Sequence, residues 1–452
     1  MQKRISIAVG LFACLGVNAQ MSKPNIIMLL ADDFGQSDLK GADTPNLDRL
    51  AKEGMTFSQG YAACTVCSPS RASIMTGRNY AELGITTLQD PVPDDAVFIS
   101  QKLRDAGYVT GALGKWHIHR KGDTSLDQPT DFGFEFQKGV NHGGMPGSYF
   151  YPYQGQGNKA NSINDLMHHK PETFLTHALG MEGANFISEN KNRPFFLYAS
   201  FYAVHTPIMG PKDKVDKYKK AGHKKPEFAA LIESLDDAVG TILDAVEKAG
   251  VANNTVIFFA GDNGGFDTFS DNHPFRSGKG SHYEGGLRVP TIVKWPGITK
   301  PGSVCDEPVV GYDYAGTWAE MAGIEWDGTS MVPLLKNPGA SLNREALYWY
   351  YVPLPKYVTN RNSERVPALA MHKGDWKIIR FLPTPHKGEY EELYNLKNDI
   401  SEKKNLAAVY PEKLRQFSAE MDKWLSGMPL EKFDAEAYSQ EVAKEMNLGK
   451  KK

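Results

Sequence analysis

This 452-residue sequence has few cysteines and no excess of charge of one sign. It contains four cysteines, of which Cys64, Cys67 and Cys305 lie beyond the first twenty residues. Three thiols cannot form the dense disulfide framework of a small secreted scaffold. The formal net charge is −2, so charge alone indicates no nucleic-acid or membrane partner.

Long apolar runs are also absent after the N-terminus, so we expect no stable membrane insertion. The N-terminus has the pattern of a signal peptide: Lys3 and Arg4, an apolar run over 5–17, and a small-residue cleavage site that ends at Ala19. A short core strand is the alternative. We predict that residues 1–19 direct export to the periplasm, with secretion or a lipid anchor at Cys14 as alternatives.

Four apolar runs alternate with helical patterns along most of the chain. The runs cover residues 25–30, 108–113, 194–204 and 256–260, and the patterns predict helices over 45–53, 98–106, 173–189 and 227–249. Uninterrupted apolar strands separated by helices are typical of parallel sheets that are covered on both faces. The sequence therefore predicts an α/β fold with a large, mostly parallel sheet between helices.

Polar, ionisable residues follow each apolar run directly. They are Asp32 and Asp33, Lys115 and His117, His205, and Asp262 and Asn263. Because ligands bind beyond the carboxyl ends of the strands in such sheets, we expect these residues to converge on one edge. The alternative is four unrelated polar loops.

The pattern changes beyond residue 343. Short strands are predicted over 346–351, 368–372 and 376–381, and an amphipathic helix over 410–426. We therefore predict a catalytic domain over residues 20–343 and a smaller C-terminal subdomain over 344–452, with an antiparallel sheet and a helix.

Residues 67–78 read Cys-Ser-Pro-Ser-Arg-Ala-Ser-Ile-Met-Thr-Gly-Arg. Pro69 suits the first turn of a helix and Gly77 its end, so Cys67 lies at a helix N-terminus, where anionic oxygen is favoured. Cys64 and Cys67 alone would also fit a redox pair or half a metal site. The whole stretch resembles the signature of the type I sulfatases, in the alkaline-phosphatase-type superfamily.

The resemblance implies a cofactor and a modification. A maturase would oxidise Cys67 to formylglycine, whose hydrate is the nucleophile. Calcium, or alternatively magnesium, would be held by Asp32, Asp33, Asp262 and Asn263 with residue 67. These side chains offer the hard oxygen ligands that both ions prefer.

The resemblance also implies the roles of the other site residues. Arg71 would hold the formylglycine hydroxyls, and Lys115 and Lys279 would bind sulfate oxygens. His117 would be the base that collapses the sulfated hydrate, and His205 would protonate or polarise the leaving group. Lys279 lies within Ser277–Ser281, which matches another sulfatase motif.

A sulfated sugar, of galactose or glycosaminoglycan type, is the expected substrate. Export and the aromatic-rich stretch 141–169 favour it, with His142, His168, His169 and Arg276 as candidate contacts unless they only pack this stretch. A formylglycine-dependent hydrolase of phosphonate monoesters or phosphodiesters is a second hypothesis. A non-catalytic glycan-binding protein is a third.

Overall fold

The structure is a computed structural model that describes residues 23–120, 127–141, 143–155, 159–358 and 364–449. The predicted signal peptide and His142 lie outside the described residues. None of the helices in these ranges is long and apolar enough to cross a membrane.

Fourteen strands are present in the described ranges. In chain order they are β1 Asn25–Ala31, β2 Met55–Phe57, β3 Gly60–Tyr61, β4 Val109–Gly114, β5 Phe136–Lys138, β6 Phe195–Ser200, β7 Thr255–Gly261, β8 Thr291–Lys294, β9 Ser303–Cys305, β10 Val309–Val310, β11 Leu347–Tyr351, β12 Ala368–Lys373, β13 Trp376–Phe381 and β14 Tyr390–Asn395.

Eleven α-helices accompany these strands in the described ranges. They are α1 Pro45–Glu53, α2 Cys67–Thr76, α3 Ile99–Asp105, α4 Leu175–Asn190, α5 Lys212–Lys220, α6 Pro226–Lys248, α7 Glu284–Leu287, α8 Asp313–Ala322, α9 Val332–Lys336, α10 Pro411–Ser426 and α11 Ala435–Gly449.

An eight-stranded sheet in the order β5-β4-β6-β1-β7-β8-β2-β9 forms the centre of the molecule. Its first five strands are parallel, and β8 runs antiparallel to both neighbours. Every residue of β1, β6 and β7 is buried, because apolar clusters cover both faces of the sheet. The predicted α/β class and the four parallel strands are confirmed.

One predicted strand is too long. The apolar run 194–204 forms a strand only at Phe195–Ser200, although Phe201–Val204 is also buried. The last part of the run leaves the ladder and wraps round the end of β1, where Asp32 N donates to Ala203 O and Val204 N to Asp32 O. Burial there comes from packing rather than from strand pairing, and an apolar pattern does not distinguish the two.

The C-terminal part contains a four-stranded antiparallel sheet in the order β11-β12-β13-β14, covered by α10. The antiparallel sheet and its helix are confirmed, whereas β14 and α11 were not predicted as elements. The domain boundary at residues 343 and 344 stays a prediction.

A buried charge cluster joins this second sheet to the rest of the protein. Lys377 on β13 lies 2.8 Å from Glu284 Oε1 and 3.0 Å from Glu402 Oε1, and all three side chains are fully buried. Arg288 Nε donates to the other oxygen of Glu284, Oε2. Burial raises the pKa of Glu402 to about 7, although Lys377 opposes the shift. The charged forms of Glu284 and Glu402 therefore depend on Lys377 for their stabilisation.

Replacing this lysine tests the role of the cluster in folding. We expect Lys377→Met to lower the free energy of unfolding by about 3–5 kcal/mol, because it leaves two buried carboxylates without their shared cation. Lys373→Met is the matched control, since its partner Glu420 is partly exposed and such pairs contribute about 0–1 kcal/mol. Urea unfolding measures both, and equal losses would contradict this role.

Candidate functional site

The carboxyl ends of four neighbouring strands carry the predicted polar residues. Asp32 and Asp33 follow β1, and Asp262 and Asn263 follow β7, which lies beside it. Lys115 follows β4, on the other side of β6. His117 and His205 come slightly later in the loops after β4 and β6. The parallel order of these strands brings the loops together at one edge.

Cys67 is the first residue of α2, a helix that is buried throughout. Gly77 ends the helix in the left-handed conformation, with φ of 65°. Ser70 Oγ donates to Asp262 O at 2.6 Å, which ties the first turn of α2 to the loop after β7. The helix N-terminus thus points its unpaired N–H groups toward the site.

Three ion pairs join acidic residues of the strand ends to three cations. Lys115 Nζ lies 2.7 Å from Asp32 Oδ2, and Lys279 Nζ lies 2.5 Å from Asp33 Oδ1. The third pair joins Arg71 Nη2 to Asp262 Oδ2 at 2.7 Å. Each of the three carboxyl groups therefore faces a cation in a largely buried environment.

The pKa values of the two adjacent aspartates shift in opposite directions. Burial, with Asp262 and Asp33 nearby, raises the pKa of Asp32 to about 8 despite Lys115. Burial acts on Asp33 in the same sense, but Lys279 and His205 outweigh it and hold the pKa of Asp33 below its usual range. The neighbouring cations therefore stabilise the charged form of Asp33 more than that of Asp32.

The donor set fits a hard divalent cation. Carboxylate oxygens of Asp32, Asp33 and Asp262 all lie within 4.8 Å of one another. Asp32 Oδ1 and Asn263 Oδ1 are buried and have no hydrogen-bond partner. Buried oxygens that lack donors are expected where a cation binds, and an all-oxygen set suits Ca²⁺ or Mg²⁺ rather than Zn²⁺.

Two histidines stand close to these groups. His117 Nδ1 lies 3.3 Å from Cys67 Sγ. His205 Nδ1 lies 2.9 Å from Thr206 O, and because a carbonyl can only accept, this nitrogen carries the hydrogen. His205 Nε2 then faces Asp33 Oδ2 at 3.8 Å.

Both imidazoles are held in the neutral form. Burial, with Lys115 and Arg71 nearby, places the pKa of His117 well below its usual value. Burial also lowers the pKa of His205 to about 3, and Lys279 adds to this effect although Asp33 opposes it. At neutral pH each ring therefore has one nitrogen that can accept a proton.

A cavity of about 420 Å³ opens above Cys67. Asp33, His117, His205 and Lys279 lie on its wall together with Cys67. The rest of the lining is largely apolar or aromatic and includes Leu88, Met145, Phe266, Tyr351 and Tyr357, together with Arg365. Arg71 and Lys115 are fully buried beneath it, so they reach the site from below.

The structure does not bring every predicted residue to this cavity. Arg276 lies in a separate cleft, where its guanidinium binds Glu364, Tyr394 and the backbone of Glu402 and packs 3.8 Å from the ring of Tyr283. Substrate contact by Arg276 is therefore not supported. Lys279, three residues later in the same loop, lines the candidate catalytic cavity instead.

The candidate histidines of the stretch 141–169 also lie elsewhere. His168 and His169 contact Glu182 and do not line the cavity. The sequence analysis missed Tyr351, Tyr357 and Arg365, which come from the C-terminal part and belong to no recognisable motif. The signal that was available is the aromatic run at the end of β11.

Comparisons with known proteins agree with this geometry. The Sulfatase family profile matches residues 24–324, and the profile of the N-sulphoglucosamine sulphohydrolase C-terminal region matches residues 277–428. A sulfatase of Formosa agariphila is 30% identical over 477 residues, which cover 86% of this chain and 85% of the relative.

A human relative and a solved structure extend the comparison. The N-acetylgalactosamine-6-sulfatase of Homo sapiens is 30% identical over 381 residues, which cover 74% of this chain and 70% of that protein. The crystal structure of Ps i-CgsB in complex with k-i-k-neocarrahexaose is 32% identical and covers 89% of this chain and 93% of its own, with a TM-score of 0.77. The chain belongs to the sulfatase family and is a sulfuric ester hydrolase.

Proposed function

We propose that this protein is a calcium-dependent sulfatase that removes a sulfate ester from a sugar, with a formylglycine made from Cys67 by a maturase. The observation that carries the proposal is the position of Cys67. It lies at the floor of the cavity and at a helix N-terminus, 3.3 Å from His117 Nδ1. The hydrated aldehyde would supply an oxygen nucleophile and a route for sulfate to leave by C–O cleavage.

Asp32, Asp33, Asp262 and Asn263 would hold the calcium ion, together with residue 67. Bound there, the ion supplies positive charge beside the nucleophile and the sulfate. The three acidic side chains are already neutralised by Arg71, Lys115 and Lys279. Once a divalent cation shares these carboxylates, Lys115 and Lys279 have charge available for the sulfate oxygens. Fixed donors of this kind stabilise charge that spreads over the transferring group.

Arg71 has a positioning role in this scheme. Its Nε donates to Asp262 Oδ2 at 2.9 Å and its Nη1 to Lys115 O at 2.9 Å. The guanidinium thus fixes the start of the loop that leads to His117 while it neutralises Asp262. Its full burial is consistent with contact to the hydroxyls of residue 67 from beneath.

The two histidines would move protons on opposite sides of the sulfate. His117 Nδ1 faces residue 67 and accepts its proton, which general base catalysis requires. His205 uses Nδ1 to bind Thr206 O, so Nε2 is the atom that faces the cavity. Bound sulfate would raise the proton affinity of the ring, so that Nε2 would take up a proton from solvent and pass it to the leaving oxygen.

The shape of the cavity supports a sugar substrate. Its volume falls within the range of about 300–1,000 Å³ of small-molecule sites. Tyr357 and Phe266 offer flat apolar surfaces to a sugar ring. Arg365, which packs 4.7 Å from the ring of Phe266 and pairs with Asp267, offers hydrogen bonds to sugar hydroxyls. The names of the relatives point to the same substrate class, since one hydrolyses an N-acetylgalactosamine sulfate and another binds a neocarrahexaose.

The signal-peptide pattern of residues 1–19 supports export, with the periplasm as the proposed location. Modification of Cys67 would then be completed by the maturase before or during export.

Gly144 positions His117 from the stretch that covers the cavity. Gly144 has φ of 71°, and a Cβ atom there would lie 2.6 Å from both Cε1 and Nε2 of the imidazole. Real atoms do not approach so closely, so the His117 ring packs directly against the backbone of Gly144. The loop containing Gly144 therefore sets the orientation of Nδ1 toward residue 67.

Sulfate release tests the proposed function. The assay uses protein co-produced with a maturase and checked for conversion of Cys67 by peptide mass, with Cys67→Ala as the control. Substrates are sulfated mono- and oligosaccharides, including N-acetylgalactosamine 6-sulfate and neocarra-oligosaccharides, and one phosphodiester. We expect sulfate release from a sugar and none in the control. Turnover of the phosphodiester alone by converted protein would contradict the proposal.

Gly144→Ala tests the positioning of His117. We expect it to lower kcat at least about tenfold, because a displaced base loses part of the roughly 10²–10⁴-fold contribution of proton transfer. Gly222→Ala is the matched control, since Gly222 has φ of 75° but no atom within 4 Å of an added Cβ. Kinetics with the sugar sulfate found above measures both. Equal kcat values in the two variants would show that Gly144 does not position the base.

A further inference from the structure

Two adjacent histidines and a glutamate converge at a second place, outside the catalytic cavity. His168 Nε2 and His169 Nε2 each lie 2.8 Å from Glu182 Oε1, on α4. The two imidazole rings lie side by side, with centroids 4.4 Å apart. The three ligand atoms are all within 4.8 Å of one another.

Burial makes this arrangement costly without a further cation. The side chains of Glu182 and His169 are each only 6% exposed, whereas that of His168 is 54% exposed. In the described part of the chain, the two histidines are the only ion-pair partners of Glu182. Buried carboxylates in proteins are paired or coordinate metals, and a cation bound between the three side chains would compensate the charge of Glu182.

A second carboxylate lies close to this site, with Lys138 beside it. The carboxylate of Asp165 lies nearby and accepts from Gly139 N–H at 3.0 Å. Burial raises the pKa of Asp165, and the neighbouring Glu182 contributes to that shift. A divalent cation would relieve both acidic groups, and the exposed side of His168 gives it a route in from solvent.

We propose that His168, His169 and Glu182 bind a divalent transition-metal ion of the zinc type. Two imidazole nitrogens and one carboxylate oxygen are a donor set that favours Zn²⁺ over Ca²⁺. Ligand distances of about 2.0–2.2 Å in a tetrahedron place neighbouring donor atoms roughly 3.3 Å apart. The observed separations of 2.8 Å therefore need to open by only about half an ångström.

This site differs from the catalytic one in its ligand atoms and in the effect of the bound ion. The catalytic donors are all oxygen, so the two sites select different classes of metal. Here the ion links the turn at 165–169 to α4, next to the stretch that carries Gly144. It stabilises that stretch, and solvent completes its coordination.

Cobalt is a suitable probe because it replaces zinc and absorbs in the visible range when it binds imidazole. The experiment uses untagged full-length protein in excess calcium, which keeps the catalytic site occupied. Co²⁺ is titrated in, then displaced by Zn²⁺, and the thermal midpoint is recorded with and without Zn²⁺. Variants are His168→Ala, whose side chain is largely exposed, and Glu182→Gln, which keeps the shape of the site.

The matched control is His177→Ala, since His177 pairs with Asp237 on α6 and is not part of the cluster. We expect one equivalent of Co²⁺ to give a visible spectrum and Zn²⁺ to raise the midpoint, with both effects lost in the two variants and kept in the control. The site would be overturned by the absence of stoichiometric binding in excess calcium, or by binding that survives both His168→Ala and Glu182→Gln.

Discussion

Neutralisation of three buried carboxylates is the constraint on which the rest of this structure depends. Asp32, Asp33 and Asp262 lie together at the carboxyl ends of two adjacent strands, where unpaired charges would cost several kcal/mol each. Their three cationic partners come from a helix, a third strand end and a loop far along the chain. The sheet order and the loop that carries Lys279 must both be in place before this balance exists.

The same principle extends to the C-terminal sheet. The loop that carries Lys279 leads directly into Glu284, which is fully buried and neutralised by Lys377 of β13 and Arg288. The second sheet therefore holds one end of the loop that carries Lys279. Tyr351 of β11 and Arg365, in the segment before β12, also line the cavity, so the cavity wall and the position of Lys279 depend on the same interface.

Much of this could be predicted from sequence, for physical reasons. Residues such as Asp32 and Lys115 directly follow the last apolar position of a parallel strand. The sheet therefore places them at the edge formed by the carboxyl ends of its strands. Arg276 could not be assigned in this way, because its direction is set by Glu364, Tyr394 and Glu402, which are distant in sequence. The walls of the cavity could not be predicted from sequence either, since Arg365 reaches the cavity through tertiary packing alone.

The charge balance also has a consequence for the binding of calcium and sulfate. Calcium and sulfate should bind cooperatively, because each supplies the charge that the balanced site lacks for the other, and such coupling is reciprocal. Calorimetric titration of Ca²⁺ at rising concentrations of inorganic sulfate, with chloride at equal ionic strength as the control, measures this coupling. We expect sulfate to tighten calcium binding by about 5–150-fold. An unchanged calcium affinity at saturating sulfate would contradict it.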